Sequence, residues 1–286
     1  MKSTEQNLDP NSEFYNYVPS MQGKSTFFYP ISTGHFLYKP GYSLERNSYD
    51  SFLLMYVLSG NVRVETKNFA GSAHEKDFIL LNCYDYHKYF TENGYDCLWF
   101  HFDGIAAEGY YRMVTAKLGN IFHIHGSRAL ADKMSEILHM FSSGNQISEA
   151  YLSKLITDIL TAFLMSEKNK TSKRSRLDVS MENILSYINE HFREALTVDD
   201  LASVAGLSPY HFIRTFKQST GYTPHEYLLD TRIENAKYLL TTTSMPSKDI
   251  CFGTGFSSES VFCASFRKKT GLTPSEYRCQ ALMHSP

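Results

Sequence analysis

The chain of 286 residues has no run of about 18 apolar residues, so no membrane-spanning helix is expected. Its opening, Met1-Lys2-Ser3-Thr4-Glu5-Gln6-Asn7, has no apolar core and does not read as a signal peptide. Cysteine is scarce and odd in number, five in all, and no C-x-x-C pair occurs. A disulfide framework and a thiolate metal site are therefore not expected. Cys83, Cys97, Cys251, Cys263 and Cys279 read as free thiols of a cytoplasmic protein. A large charge of one sign is lacking too: the net charge of −2 does not advertise a nucleic-acid partner. Its distribution is more informative. From Lys170 onward 14 Lys/Arg stand against 12 Asp/Glu, and the remainder has 14 against 18. The C-terminal part is thus where a polyanion would be held.

What is present falls into five stretches: an N-terminal arm (1–26), a β-rich part (27–105), a helical part (106–166), a linker (167–177) and a second helical part (178–286). In the β-rich part, Ser51 to Leu58 reads as a strand that stops at Ser59-Gly60-Asn61, a hairpin signal. Further short strands follow over Asp77–Leu81 and Tyr95–Phe102, which suggests a small antiparallel barrel or sandwich. From Ala106 the period becomes helical. Leu130, Met134, Ile137, Leu138 and Phe141 form one apolar stripe, and Leu152, Leu155, Ile156, Ile159 and Phe163 form another, with Gly144 and Asn145 between them. These stripes fit a helical hairpin packed on the barrel, a dimer interface, or both. "EKNKTSKRSR", Glu167 to Arg176, has no apolar residue and reads as a solvated boundary.

The second helical part repeats itself. "GYTPHEY" at Gly221–Tyr227 returns as "GLTPSEY" at Gly271–Tyr277. Each glycine suits a left-handed helix end, and each Thr-Pro-x-Glu is a capping box with proline at the first helical position. Before each frame stands a helix, a glycine turn and a second helix. In the first copy Thr197 caps with Asp200, Ala202 takes the crossing position, Gly206 the turn, and Ser208-Pro209 opens the next helix. In the second, Pro246 opens a helix, Cys251 replaces Ala202, Gly255 turns, and Ser257 caps, with Val261 and Phe262 packing. This is the spacing of two helix-turn-helix units. Gly206 to Gly255 is 49 positions and Phe216 to Phe266 is 50, which places an extra residue in the second recognition-helix region. A helix from Pro224 to about Leu240, roughly 26 Å long at 1.5 Å per residue, would hold the two units about one DNA turn apart.

"DLASVAGLSPYHFIRTFKQSTGYTPHEYL" and "DICFGTGFSSESVFCASFRKKTGLTPSEYR" resemble the AraC/XylS family of transcription regulators. "MYVLSGNVRVET", "KDFILLNCYDYHKYF" and "LWFHFDG" resemble, more loosely, that family's cupin-like N-terminal domain. The resemblance implies an α+β multidomain chain: a cupin-like β-barrel with a helical hairpin, then an all-α domain with two helix-turn-helix motifs. It implies an effector-responsive, sequence-specific regulator that binds double-stranded DNA as a homodimer and contacts RNA polymerase. An activator of carbohydrate-utilisation genes with a sugar effector is the leading expectation. Regulation of virulence or stress genes, with a non-sugar effector or none, is the alternative. A cupin-type enzyme or sugar-binding module is the reading from another class, and the tandem motif argues against it. The family is not catalytic. No cofactor and no metal are expected, because the strands lack the His-x-His and following Glu of metal-binding cupins, and His123-Ile124-His125 falls after the barrel.

Candidate base readers lie at the N-terminal ends of the recognition helices: Tyr210, His211 and Arg214 in the first, Ser258, Glu259 and Ser260 in the second. Arg214 can pair bidentately with guanine. The second helix has Cys263-Ala264-Ser265-Phe266 where the family commonly has an arginine, so weaker reading is expected there. Lys217, Arg267, Lys268 and Lys269 are candidate phosphate contacts. In the barrel, Cys97, Trp99 and His101 share one strand face and Leu98, Phe100 and Phe102 the other. In sugar-responsive relatives a basic residue before a proline, a Tyr and a Trp face inward. Lys39, Tyr89 and Trp99 match those positions, with His87 nearby. Trp99, the only tryptophan, is expected to stack on the effector in an open pocket and to support little of the core.

Overall fold

The computed structural model describes residues 7–143, 147–166 and 176–283. Gly144, Asn145 and most of the expected linker, 167–175, lie outside the described residues. The chain divides into two units, Met1–Lys170 and Thr171–Pro286.

Unit one holds strands β1 (Glu13–Asn16), β2 (Tyr29–Tyr38), β3 (Ser43–Arg46), β4 (Phe52–Thr66), β5 (Ala70–His74), β6 (Asp77–Asn82), β7 (His87–Phe90), β8 (Tyr95–Asp103) and β9 (Ile121–His123). Its helices are α1 (Met21–Thr26), α2 (Ala107–Leu118), α3 (Arg128–Ser142) and α4 (Glu149–Met165). One layer runs β1-β2-β8-β4-β6-β9, and a second is built from β3, β7 and β5 on the far end of β4. The sheet therefore takes in β1 and β9, which lie outside the expected 27–105 interval.

No hairpin forms at Ser59-Gly60-Asn61. β4 runs on through it for 15 residues. The pairing with β8 shifts register between Val57 and Ser59, and Gly60 has φ 79°. A Cβ there would lie 2.4 Å from the Gly94 carbonyl oxygen. The bulge and the glycine bend one strand from the first layer, beside β6 and β8, into the second, beside β5 and β7. A turn signal alone cannot separate this bend from a hairpin, because the difference lies in what packs against Gly60.

β8 is central in the first layer and is buried on both faces. Leu98, Phe100 and Phe102 lie under the helices, in one core with Leu54, Phe78, Leu130, Met134, Leu155, Ile159 and Phe163. Cys97 and Trp99 lie inside the barrel with Phe36, Met55, Val57, Val62 and Val64. The stripes of α3 and α4 are thus used against the sheet, Phe141 only partly buried. A dimer interface on these helices has to use other residues.

Unit two is helical: α5 (Arg176–His191), α6 (Val198–Ala205), α7 (Pro209–Thr220), α8 (Pro224–Thr242), α9 (Ser247–Gly253), α10 (Glu259–Thr270) and α11 (Pro274–Met283). It has two cores. Leu201, Ala202, Phe212, Phe216 and Leu228 belong to the first, and Ile233, Ala236, Leu240, Ile250, Cys251, Phe262 and Phe266 to the second. The four phenylalanines of α7 and α10 are fully buried, each stabilising by about 1.5–3 kcal/mol. α8 contributes to both cores. Val261, expected to pack, is exposed.

The repeated caps are real in both copies. Thr223 N–H donates to Glu226 Oε2 at 2.8 Å, and Glu226 N–H donates to Thr223 Oγ1 at 3.3 Å. Thr273 and Glu276 repeat this at 2.7 and 3.3 Å. Gly221 and Gly271 end α7 and α10 at φ 80° and 81°. The extra residue does not fall inside the second recognition helix, since α7 and α10 both span 12 residues. Leu207 N–H donates to the Ala202 carbonyl and Phe256 N–H to that of Cys251, so the copies agree up to Phe256. Ser257 is then the addition, and Ser258, not Ser257, is the N-cap.

Replacing Thr223 or Thr273 by alanine removes a cap and is expected to cost about 0.5–2 kcal/mol. Urea unfolding followed by far-UV circular dichroism measures this; an unchanged midpoint in both variants would show that the caps are dispensable.

Candidate functional site

Two features could carry chemistry, one in each unit. In unit two the short turns after α6 and α9 set the entry of α7 and α10. Ser208 leads into α7 with Pro209 at the first helical position, and Ser258 Oγ accepts from Val261 N–H at 3.3 Å. With Phe212, Phe216, Phe262 and Phe266 turned into the cores, the opposite faces of both helices are left to solvent. Tyr210 is 80% exposed, and His211, Arg214 and Lys217 are exposed with it. On α10 Glu259, Ser260, Arg267 and Lys268 are exposed.

Two of the expected contacts are altered by this geometry. Ser258 is half-buried and its oxygen serves the helix cap, which competes with a role as base reader. Lys269 Nζ lies 2.5 Å from Asp230 on α8, an ion pair that ties α10 to the connector and competes with a phosphate contact. The spacing of helix positions could not show this, because Asp230 is 39 positions away in the sequence. The 50-residue offset that relates α7 to α10 sets Ile213 against Cys263 and Arg214 against Ala264. The second helix has no long cation in its central turn.

In unit one a cavity of about 130 Å³ opens inside the barrel. Trp99 and Tyr89 line it, and so do Phe36, Arg46, Tyr49 and His101. The mixed face of β8 therefore points inward. Phe36 meets Trp99 edge-on at 5.0 Å, His101 lies 5.7 Å from Trp99, and Tyr49 lies 4.7 Å from His101. Trp99 is only 9% exposed, so it supports the core more than an open-pocket residue would. Its Nε1–H is buried with no hydrogen-bond partner among the described residues. Gly34 makes room for it: a Cβ there would meet Trp99 Cζ2 at 2.6 Å.

Lys39 does not join the cavity. It follows the end of β2, is exposed, and lies 3.9 Å from Asp9. The cation that lines the cavity is Arg46, on β3. Its signal was the alternation of Leu44 and Arg46 against Ser43 and Glu45, which puts a cation on the apolar face of a short strand. His87 pairs with Arg46 across β3 and β7 but is not among the lining residues. His87 is buried, with Nδ1 2.9 Å from the Asp85 carbonyl oxygen, which fixes the proton on Nδ1. Burial, with a smaller contribution from Arg46, holds His87 below the ordinary histidine range. His101 shares Nδ1 with Ser51 Oγ at 2.8 Å, and burial pushes its pKa down to about 3, so it is neutral at pH 7. His123 pairs with Asp77, and no cluster of metal-ligating side chains occurs among the described residues.

Residues 29–160 match the AraC-like ligand binding domain, and residues 201–280 match a helix-turn-helix domain. The chain belongs to the AraC family of transcription regulators. The family's two parts fall on the two units, the cavity in one and the paired helices in the other. Among relatives, the Msm operon regulatory protein of Streptococcus mutans is 23% identical over 83% of this chain and 87% of its own length. The bifunctional transcriptional activator/DNA repair enzyme AdaA of Bacillus subtilis is 39% identical over 35% of this chain and 47% of its own. The DNA-binding domain of AdpA, solved in complex with a target DNA, is 28% identical over 37% of this chain and 96% of that one, with a TM-score of 0.37. The chain spans from 31% to 52% of the length of several curated relatives that it matches.

The two buried imidazoles give unit one an acid sensitivity with a definite sign. Their folded pKa values lie below the ordinary ~6.5, so the unfolded chain binds more protons as pH falls below that value. Stability is full above about pH 6.5 and declines toward about pH 3, where His101 titrates in the fold. Urea midpoints of unit one between about pH 6.5 and 5 are expected to fall less in His101→Gln than in the parent. Parallel slopes would show that His101 is not held neutral.

Proposed function

We propose that the chain regulates transcription by binding double-stranded DNA through α7 and α10, under control of a small molecule held in the barrel cavity. The observation that carries this reading is the pair of 12-residue helices, each with a buried phenylalanine face, a solvent face and a left-handed glycine at its end. A helix of that kind, entered by a tight turn, suits the major groove. Arg214 is the proposed guanine reader, helped by Tyr210 and His211. Glu259 and Ser260 read less, because a carboxylate is repelled by phosphate and neither side chain reaches far. Lys217, Arg267 and Lys268 are the proposed phosphate contacts.

A homodimer and contact with RNA polymerase belong to the same proposal, as does a place in the cytoplasm. Activation is favoured over repression by the B. subtilis relative, a transcriptional activator. No repair chemistry is proposed, since that relative matches over only 35% of this chain. Trp99 and Tyr89 are the effector-binding residues of the reading. A carbohydrate effector, with a role in carbohydrate use, is what the two aromatic plates alone would suit, and the cation beside them sets an acid against it.

Arg214→Ala is expected to cost about 1–3 kcal/mol on the cognate operator and to relax preference at one base pair. Lys217→Ala is expected to weaken cognate and random DNA alike and to flatten the salt dependence. Equilibrium binding by fluorescence anisotropy at several salt concentrations measures both. Equal losses of Arg214→Ala on operator and random DNA would reduce it to a backbone contact.

A further inference from the structure

We propose that the effector is a small organic carboxylate whose acid group is held by Arg46 and whose body lies against Trp99. The inference rests on the reading that the barrel cavity holds the effector, and it replaces a neutral sugar with an anion.

Four observations carry it. Arg46 is the one charged side chain among the described residues that line the cavity, and no carboxylate lines it. Arg46 makes no hydrogen bond or ion pair among the described residues; its guanidinium lies 4.9 Å from the Tyr49 ring centre. The neighbouring carboxylate, Glu45, faces away and is bonded to Lys88 and Tyr86. A half-buried cation against aromatic walls, without a counter-ion, is an electrostatic invitation to an anion. A guanidinium also presents the fork that a carboxylate matches with two parallel bonds.

The second observation is the unpartnered Trp99 Nε1–H. A donor left unpaired and out of reach of water marks the Trp99 end of the cavity as dry, which suits the apolar body of a guest and not its charge. The third is the arc of rings that runs from Arg46 to Phe36: Tyr49 beside Arg46, His101 beside Tyr49, Trp99 beside His101 and Phe36 beside Trp99. Its walls suit an apolar body, and the neutral state of His101 keeps a second positive charge out of the cavity. The fourth is size. At about 130 Å³ the space is a little smaller than an apolar cavity of roughly 150 Å³ that accepts benzene.

The test uses the full chain and its single tryptophan. Fluorescence and melting temperature are recorded at constant ionic strength with up to about 10 mM of each probe, a range that captures millimolar binding. The probes are benzoate and 3-methylbutanoate, their primary amides, and glucose and arabinose. At least one carboxylate is expected to shift the Trp99 emission and raise the melting temperature. It should bind at least about tenfold more tightly than its amide, the ratio set by one charge-assisted bond. Arg46→Gln should remove that preference and Arg46→Lys should retain part of it. Amides or sugars that bind as well as the acids would overturn the anion and leave the cavity reading intact, and so would carboxylate binding undiminished in Arg46→Gln. No response to any probe would overturn both. The comparison of acid with amide on the parent chain needs no variant to fold.

Discussion

The structure of the DNA-binding unit depends on α8. Neither helix-turn-helix closes a core on its own: Leu228 completes the first, while Ile233, Ala236 and Leu240 complete the second. One helix of 19 residues, about 28 Å long, therefore fixes the distance and direction between α7 and α10. The capping box at Thr223 sets where it starts. Arg232, from its middle, donates to the carbonyl oxygens of Phe192 and Glu194 at 2.8 and 2.7 Å, which ties the end of α5 to it. Arg278 of α11 does the same for Leu240 and Met245. Asp230 holds α10 to it through Lys269. Two small cores joined by one rigid element give a reader whose two halves cannot drift apart.

In the sensor unit the equivalent constraint is the two-faced strand β8. Its even positions anchor the helices and its odd positions build the cavity wall, so the cavity and the support for α3 and α4 share a backbone. Trp99 packs over Gly34 of β2, and β2 also carries β1. Residues Phe14 and Asn16 of β1 line the same cavity.

Local chemistry was legible in the sequence. The capping boxes, the glycine ends, the helical stripes and the alternation of β8 involve residues within a few positions of each other, and each came out where it was expected. What could not be read depends on distant partners. Gly60 looks like a hairpin turn until Gly94 is set against it. Lys39 looks like an inward cation until the chain is seen to turn after Tyr38, and Arg46 takes that place from a strand of four residues. The added residue was assigned to the second recognition helix because glycine and phenylalanine offsets bracket both turn and helix; only the hydrogen bond of Phe256 to Cys251 assigns it to Ser257. Lys269 looked like a phosphate contact because a basic run ends α10, and Asp230 is visible only in three dimensions.

The central claim is that one chain presents two helices to one face of DNA at a spacing fixed by α8. Hydroxyl-radical footprinting of the full chain on its cognate site tests it most directly. The account predicts two protected windows for each chain, on the same face and about 10–10.5 base pairs apart, with the stronger protection under α7. A single window, or two windows on opposite faces of the duplex, would contradict it.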